Sequence, residues 1–241
     1  MQSSLKPPVS SRPPQATLLF QVVAFFSRLQ LHYLLPRLRH PERAVLVFVL
    51  LEGSAAVAVI ASISYLTDLP LIFPSLGPSA FILFRMPMSA SAAPRSVFVS
   101  HTLGLAAGFV ALALCRFLPG LEYPDPGQIN GSFIMALSVA MALASFLMIR
   151  FNCNHPPAIA TSLIVAMGSI ATPVQAGGFV LAIGLLIFLA FLFNRILGGL
   201  PFPFWKHDPA ITRHFGSLAG IPESGRGYWQ ELASQIFHLQ R

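Results

Sequence analysis

Charge is what this chain has least of. Only 10% of its 241 residues are charged and 55% are hydrophobic, whereas a soluble domain carries roughly 25% charged residues. A chain so poor in charge cannot be solvated as one globule, so apolar segments that cross a bilayer are expected. Acids are scarcest, 8 against 15 Lys and Arg, which leaves a net charge of +7. Such a balance raises the question of nucleic acid. The basic residues, however, flank apolar blocks and form no patch interleaved with aromatics. That is the pattern of topology determinants, and no nucleic-acid partner is expected. Cysteine is nearly absent too: Cys115 and Cys153 show neither CxxC nor Cys/His spacing, so no structural metal site is expected. GxSxG, HExxH and Walker A are all missing, and no nucleophile–base pair stands out. Neither an enzyme nor a cofactor is implied.

What is present divides the chain into three parts. Residues 1–43 form a basic arm whose first acid is Glu42, with Pro7-Pro8 and Pro13-Pro14 marking an extended start. Ala16 to Leu35 reads either as an interfacial amphipathic helix or as a bland tail. The acid-free, Ser/Arg-bearing start also resembles an organelle transit peptide. Residues 44–197 hold six apolar segments. Four are long: Ala44 to Leu66, Ser96 to Leu118, Ser132 to Ile149 and Val174 to Leu197. Two, Leu71 to Phe84 and His155 to Met167, are short and broken by proline or glycine. Residues 198–241 are a polar tail, read as cytoplasmic.

The segment lengths run long, short, long, then long, short, long. This order suggests an internal repeat, as does the match of Ala107-Gly108-Phe109-Val110 to Gly177-Gly178-Phe179-Val180. A 14-residue helix reaches only about 21 Å, short of the roughly 30 Å hydrocarbon core. Each short segment therefore either crosses as part-extended, part-helical backbone or turns back as a hairpin. Six crossings put Arg85, Arg95 and Arg150 with the basic N-terminus inside, and Asp68, Glu122 and Asp125 outside, as the positive-inside rule prefers. The expected fold is an all-α membrane protein with an inverted 3+3 repeat, the plan of many secondary transporters. Both termini are then cytoplasmic, and the compartment expected is a bacterial inner membrane. Cys115 and Cys153 fall near opposite faces, too far apart for a disulfide. Small-residue faces permit a homo-oligomer without demanding one.

The two breaks are the candidate site. A helix that starts inside a membrane leaves its first N–H groups without partners, and those groups with the helix dipole attract anions. Gly77-Pro78-Ser79 and Asn154-His155-Pro156-Pro157 both read as such starts. Ser79 and Asn154 are candidates to cap the helix or to donate to a ligand. An ordinary proline-punctuated turn accounts for the same residues. His155 is either an anion donor or a histidine bonded to backbone, and His101 either faces the bundle interior or snorkels. Arg95 serves either as a cation where an anion would enter or as a topology charge. Glu52 is the only acid inside a long apolar segment, which makes it a candidate for proton coupling.

The run Asn154-His155-Pro156-Pro157-Ala158-Ile159-Ala160-Thr161 resembles the HPP family of integral membrane proteins. Leu76-Gly77-Pro78-Ser79-Ala80, then Leu83-Phe84, Pro94-Arg95 and His101, resemble that family's earlier block. The likeness covers about Ala44 to Leu197, with departures at Pro78, Ser100 and Ile159. It implies four membrane helices and, through plant and cyanobacterial members, transport of nitrite. The reading is therefore a transporter of a small inorganic anion such as nitrite. The proposed contacts are Gly77, Pro78, Ser79, Asn154, His155, Pro156, His101 and Arg95. A non-transporting assembly or sensory module is the competing class.

Overall fold

The computed structural model describes residues 41–117 and 129–212, together with Gln30 and Arg39. The interfacial helix considered over Ala16 to Leu35, and the tail beyond Thr212, lie outside the described residues. Among the described residues the regular structure is entirely helical. That is the form in which an apolar segment satisfies its own backbone without water.

The elements follow the alternation of segment lengths: α1 (Pro41–Thr67), α2 (Leu76–Arg85), α3 (Pro94–Phe117), α4 (Gly131–Arg150), α5 (Pro157–Ala166) and α6 (Pro173–Leu192). A π-helical turn (Phe193–Leu197) extends α6, and one further turn, α7 (Pro209–Thr212), follows. Four stretches, Arg43–Thr67, Pro94–Cys115, Gly131–Arg150 and Pro173–Leu197, are long and apolar enough to cross a membrane, while α2 and α5 are shorter apolar helices.

Local chemistry sets the boundaries. Pro41, Pro94, Pro157 and Pro173 are the first residues of their helices, where a missing N–H costs nothing. The Asn130 side chain caps α4 by accepting from the Phe133 N–H at 2.8 Å. Thr172 and Gln175 form a reciprocal capping box at the start of α6. Gly168, at φ 78°, ends α5: its N–H and that of Ser169 bond to the Val165 and Ile164 carbonyls.

Contacts at the helix ends give the direction of each element. The Arg95 N–H donates to the Trp205 carbonyl, and the Arg95 side chain donates to the Phe151 and Asn152 carbonyls. Phe48 lies against Gly198, and Thr212 donates to the Met88 carbonyl. The start of α1, the end of α2, the start of α3 and the ends of α4 and α6 therefore share one end of the bundle. Arg43, Arg85, Arg95, Arg150, Arg195 and Lys206 all belong to that end. Asp68 stands at the other, as does Arg116 late in α3. Gly178, early in α6, meets Pro70 at that far end. Residues 68–85 thus run the bundle's length back to the basic end, part extended and part helical, and residues 151–172 run it outward.

Packing alternates between the halves. α3 lies chiefly on α4 and α5, and α6 lies on α1 and α2, with α3 and α6 touching between them. Glycine permits the closest approach: a Cβ on Gly104 would strike the Ala158 carbonyl, and one on Gly108 would lie 2.7 Å from the Ser162 carbonyl. The tail is less detached than its composition implies. Leu200 and Phe202 are buried, Arg195 donates to the Phe202 carbonyl at 2.9 Å, and its guanidinium stacks on Phe204 at 4.2 Å.

Candidate functional site

The first turns of the two short helices meet through side chains. Ser75 and Ser79 are four residues apart and so share one face of α2. Thr161 comes from the second turn of α5, His155 from the turn before it, and His101 from the second turn of α3. Ser79 Oγ lies 2.9 Å from His101 Nε2 and 3.0 Å from His155 Nε2. His101 Nδ1 lies 2.7 Å from Thr161 Oγ1, which is 3.2 Å from Ser75 Oγ. The other nitrogen of His155, Nδ1, donates to the Ser91 carbonyl at 2.8 Å. The two imidazoles are 5.1 Å apart between ring centroids, and Phe179 of α6 closes over His101 edge-on at 5.6 Å.

Ser79 and His155 are 0% exposed and His101 is 1% exposed, inside a bundle whose other buried residues are mostly apolar. Buried polar groups are expensive unless bonded, so a cluster of this size must satisfy itself. Every side-chain nitrogen and oxygen of the five does so. The exception beside them is Ser91 Oγ, which is buried without a partner on the residue whose carbonyl receives His155. With 1.5 Å of rise per residue, Ser79 and His101 lie about 9 Å along their helices from Arg85 and Arg95 at the basic end. Ser100 braces the same level by donating to the Cys153 carbonyl.

Of the residues expected at the site, the fold brings Ser79, His101 and His155 together and leaves the others elsewhere. Gly77 and Pro78 on α2, and Asn154 and Pro156 in the turn before α5, are exposed. Neither Ser79 nor Asn154 caps a helix. The cap position of α2 is Ser75, whose side chain makes no capping bond, and that of α5 is Pro156. Free N–H groups at the two starts, on which an anion was expected to rest, are nearly used up. At α5, Pro156 and Pro157 have none, and those of Ala158 and Ile159 bond to the His155 and Pro156 carbonyls. At α2, the Leu76 and Ser79 N–H groups bond to the Phe73 and Ser75 carbonyls, and Pro78 has none.

Arg95 is a cap for another helix. Its Nη1 and Nη2 each donate over 2.9 Å, to the Asn152 and Phe151 carbonyls just past α4, where a cation also suits the helix dipole. Glu52 is buried in α1 with both carboxyl oxygens unpartnered, and no hydrogen bond among the described residues joins it to the cluster. Asn194, the second residue of the π-helical turn, donates to the Leu83 and Ala190 carbonyls and leaves its own oxygen unpartnered.

Sequence reasoning missed Ser75, Thr161 and Ser91. A hydroxyl four residues before Ser79 on the same helical face was the available signal for Ser75. Thr161 was visible only as part of the His-Pro-Pro run, and Ser91 enters through its backbone, which no sequence pattern marks.

Among known proteins, the chain is similar to a transmembrane protein of Dictyostelium discoideum, at 31% identity over 122 residues. That match covers 49% of this chain and 39% of the relative, so the chain spans well under half of the length of the curated protein it matches. No solved structure matches it. The model of the HPP transmembrane region matches residues 38–203, which hold α1 to α6 and the whole histidine–hydroxyl cluster, and the chain therefore belongs to the HPP family of membrane proteins.

Proposed function

We propose that this HPP-family protein carries a small inorganic anion, nitrite foremost, across the bilayer, with Ser79, His101 and His155 as the residues that meet it. One observation carries the reading: two half-length helices converge on a buried cluster of neutral donors and acceptors in an otherwise apolar bundle. Hydroxyls and imidazole N–H groups recognise an anion without a fixed charge that would hold it too tightly to release. The unpartnered Ser91 Oγ supplies a further donor beside them.

The reading as two inverted halves belongs to the same proposal. α1, α2 and α3 run opposite to α4, α5 and α6. Exchanging the halves maps α3 on α4 and α5 onto α6 on α1 and α2. Many secondary transporters rock one such half against the other around a central site. The cluster of basic residues at one end favours an orientation with that end inside, and with it residues 41 and 197.

One observation favours a second reading, a non-transporting membrane module. The cluster is closed and self-satisfied, as a structural clamp between helices would be. Uptake of nitrite into proteoliposomes holding the purified protein, beside His155→Ala, separates the two. Saturable uptake that collapses in the variant is the expected result. Uptake equal to that of empty liposomes for nitrite, nitrate, formate and chloride would leave the module reading in its place.

A further inference from the structure

The cluster contains a directional constraint that distances alone do not display. A carbonyl oxygen only accepts, so His155 Nδ1, 2.8 Å from the Ser91 carbonyl, must carry a hydrogen. In neutral His155 the other nitrogen, Nε2, is then an acceptor, and the group within reach that can satisfy it is the Ser79 hydroxyl 3.0 Å away, whose other acceptor is the Ser75 carbonyl at 2.8 Å. Ser79 Oγ, its one hydrogen committed, accepts from His101, whose Nε2 must therefore be protonated. His101 Nδ1 becomes an acceptor for the Thr161 hydroxyl, and across the 3.2 Å between the Thr161 and Ser75 hydroxyls, where either oxygen can donate, the hydrogen is then that of Ser75. One fixed carbonyl thus sets the polarity of five side chains, from Ser75 to His155.

The same heavy atoms accommodate one more proton. When His155 Nε2 gains a hydrogen, it donates to Ser79 Oγ instead of accepting from it. The Ser79 hydroxyl then turns to the Ser75 carbonyl, 2.8 Å away, which in the neutral arrangement receives only the Ser79 backbone N–H. His101 keeps its tautomer, and no heavy atom moves. The proton adds to the imidazole lone pair, and the net change is one positive charge on His155.

We infer that His155 is the proton-loading site at the end of a polarised hydrogen-bond relay, Ser75–Thr161–His101–Ser79–His155, anchored by the Ser91 carbonyl, in which the other four side chains orient and do not carry the proton. Its use in coupling a proton to an anion rests on the transport reading above, whereas the relay rests on the hydrogen-bond geometry. An imidazolium that is 0% exposed is costly without a counter-charge, and among the described residues no element packed around it provides one, the titratable residue of α2 being the cation Arg85. α5 carries no titratable residue, α6 presents Phe179, and from α3 only His101 faces it. Arg95 is turned to the α4 carbonyls, and the Cys153 thiol faces the Met148 carbonyl. Glu52 of α1 makes no hydrogen bond to the relay. A monovalent anion beside His155 would balance the charge, so proton and anion should each strengthen binding of the other by the same factor.

The test is nitrogen NMR on histidine-labelled protein in nanodiscs. His32, His40, His207, His214 and His238 are replaced by glutamine so that His101 and His155 alone report. His101→Gln assigns the pair. At high pH the expected result is one histidine of each tautomer, His155 protonated on Nδ1 and His101 on Nε2. Acidification should convert His155 alone to imidazolium, and sodium nitrite should raise its proton affinity about tenfold. Ser79→Ala should release His101 into mixed tautomers. Matching tautomers, a proton taken first by His101, or no proton taken by either while the protein stays folded would overturn the relay. The expected titration without any nitrite effect would keep the relay and count against the anion-transport reading.

Discussion

Ser79→Ala removes one oxygen that three groups use: His101 Nε2 at 2.9 Å, His155 Nε2 at 3.0 Å and the Ser75 carbonyl at 2.8 Å. The carbonyl keeps a backbone bond from the Ser79 N–H. The two ring nitrogens keep nothing, and both rings are essentially unexposed. Orphaning a buried donor or acceptor costs about 1–3 kcal/mol, so the pair costs about 2–6 kcal/mol. A water in the vacated space would re-bond part of this, so the expected loss is about 2–3 kcal/mol. With about 2–4 °C of melting temperature per kcal/mol in a chain of this size, the variant should melt about 4–12 °C lower. The chain carries its own reporters, because Cys115 and Cys153 are free and buried and react with a thiol-specific fluorophore as the protein opens. Ser138→Ala is the control. That hydroxyl is exposed and bonds only to its own helix, and its loss should stay within about 0.5 kcal/mol. If Ser79→Ala melted with the wild type, the cluster would not be holding the short helices together, and the energetic account of the site would fail.

Substitutions at four further residues have expected outcomes in the same assay. Gly104→Ala drives a Cβ into the Ala158 carbonyl and should cost about 1–3 kcal/mol by parting α3 from α5. Gly184→Ala, with open space around it, should be neutral or gain about 0.5–1 kcal/mol. Arg95→Ala removes both bonds to the end of α4 and, because the side chain is part-exposed, should cost about 1–3 kcal/mol. Arg95→Lys should recover only part of that, since an ammonium lacks the paired fork, and equal melting of the two variants would count against the capping role. Glu52→Leu removes two buried, unpartnered oxygens, so its melting temperature should rise while nitrite uptake persists. Uptake lost in a well-folded Glu52→Leu protein would restore a coupling role to Glu52.

Much of this protein is determined along the chain. Membrane class, six apolar segments, their order of lengths and the prolines that open four of the helices from α1 to α6 are all local properties. Run length and backbone restriction at proline do not depend on what packs where. Which side chains meet is different, because it depends on the face each helix turns inward and on how closely two backbones approach. Gly104 and Gly108 let α5 lie against α3, and that contact brings Thr161 to His101. The turn before α5 then aims His155 at Ser79, while its neighbours Asn154 and Pro156 face outward. From its place in the sequence Arg95 reads either as a site cation or as a topology charge, and in the fold it serves carbonyls 56 and 57 residues away. The proton polarity of the cluster depends on the Ser91 carbonyl, a backbone group with no letter in the sequence. Tertiary structure alone brought it to His155, because only the packed helices hold a loop and a ring 64 residues apart at hydrogen-bonding distance.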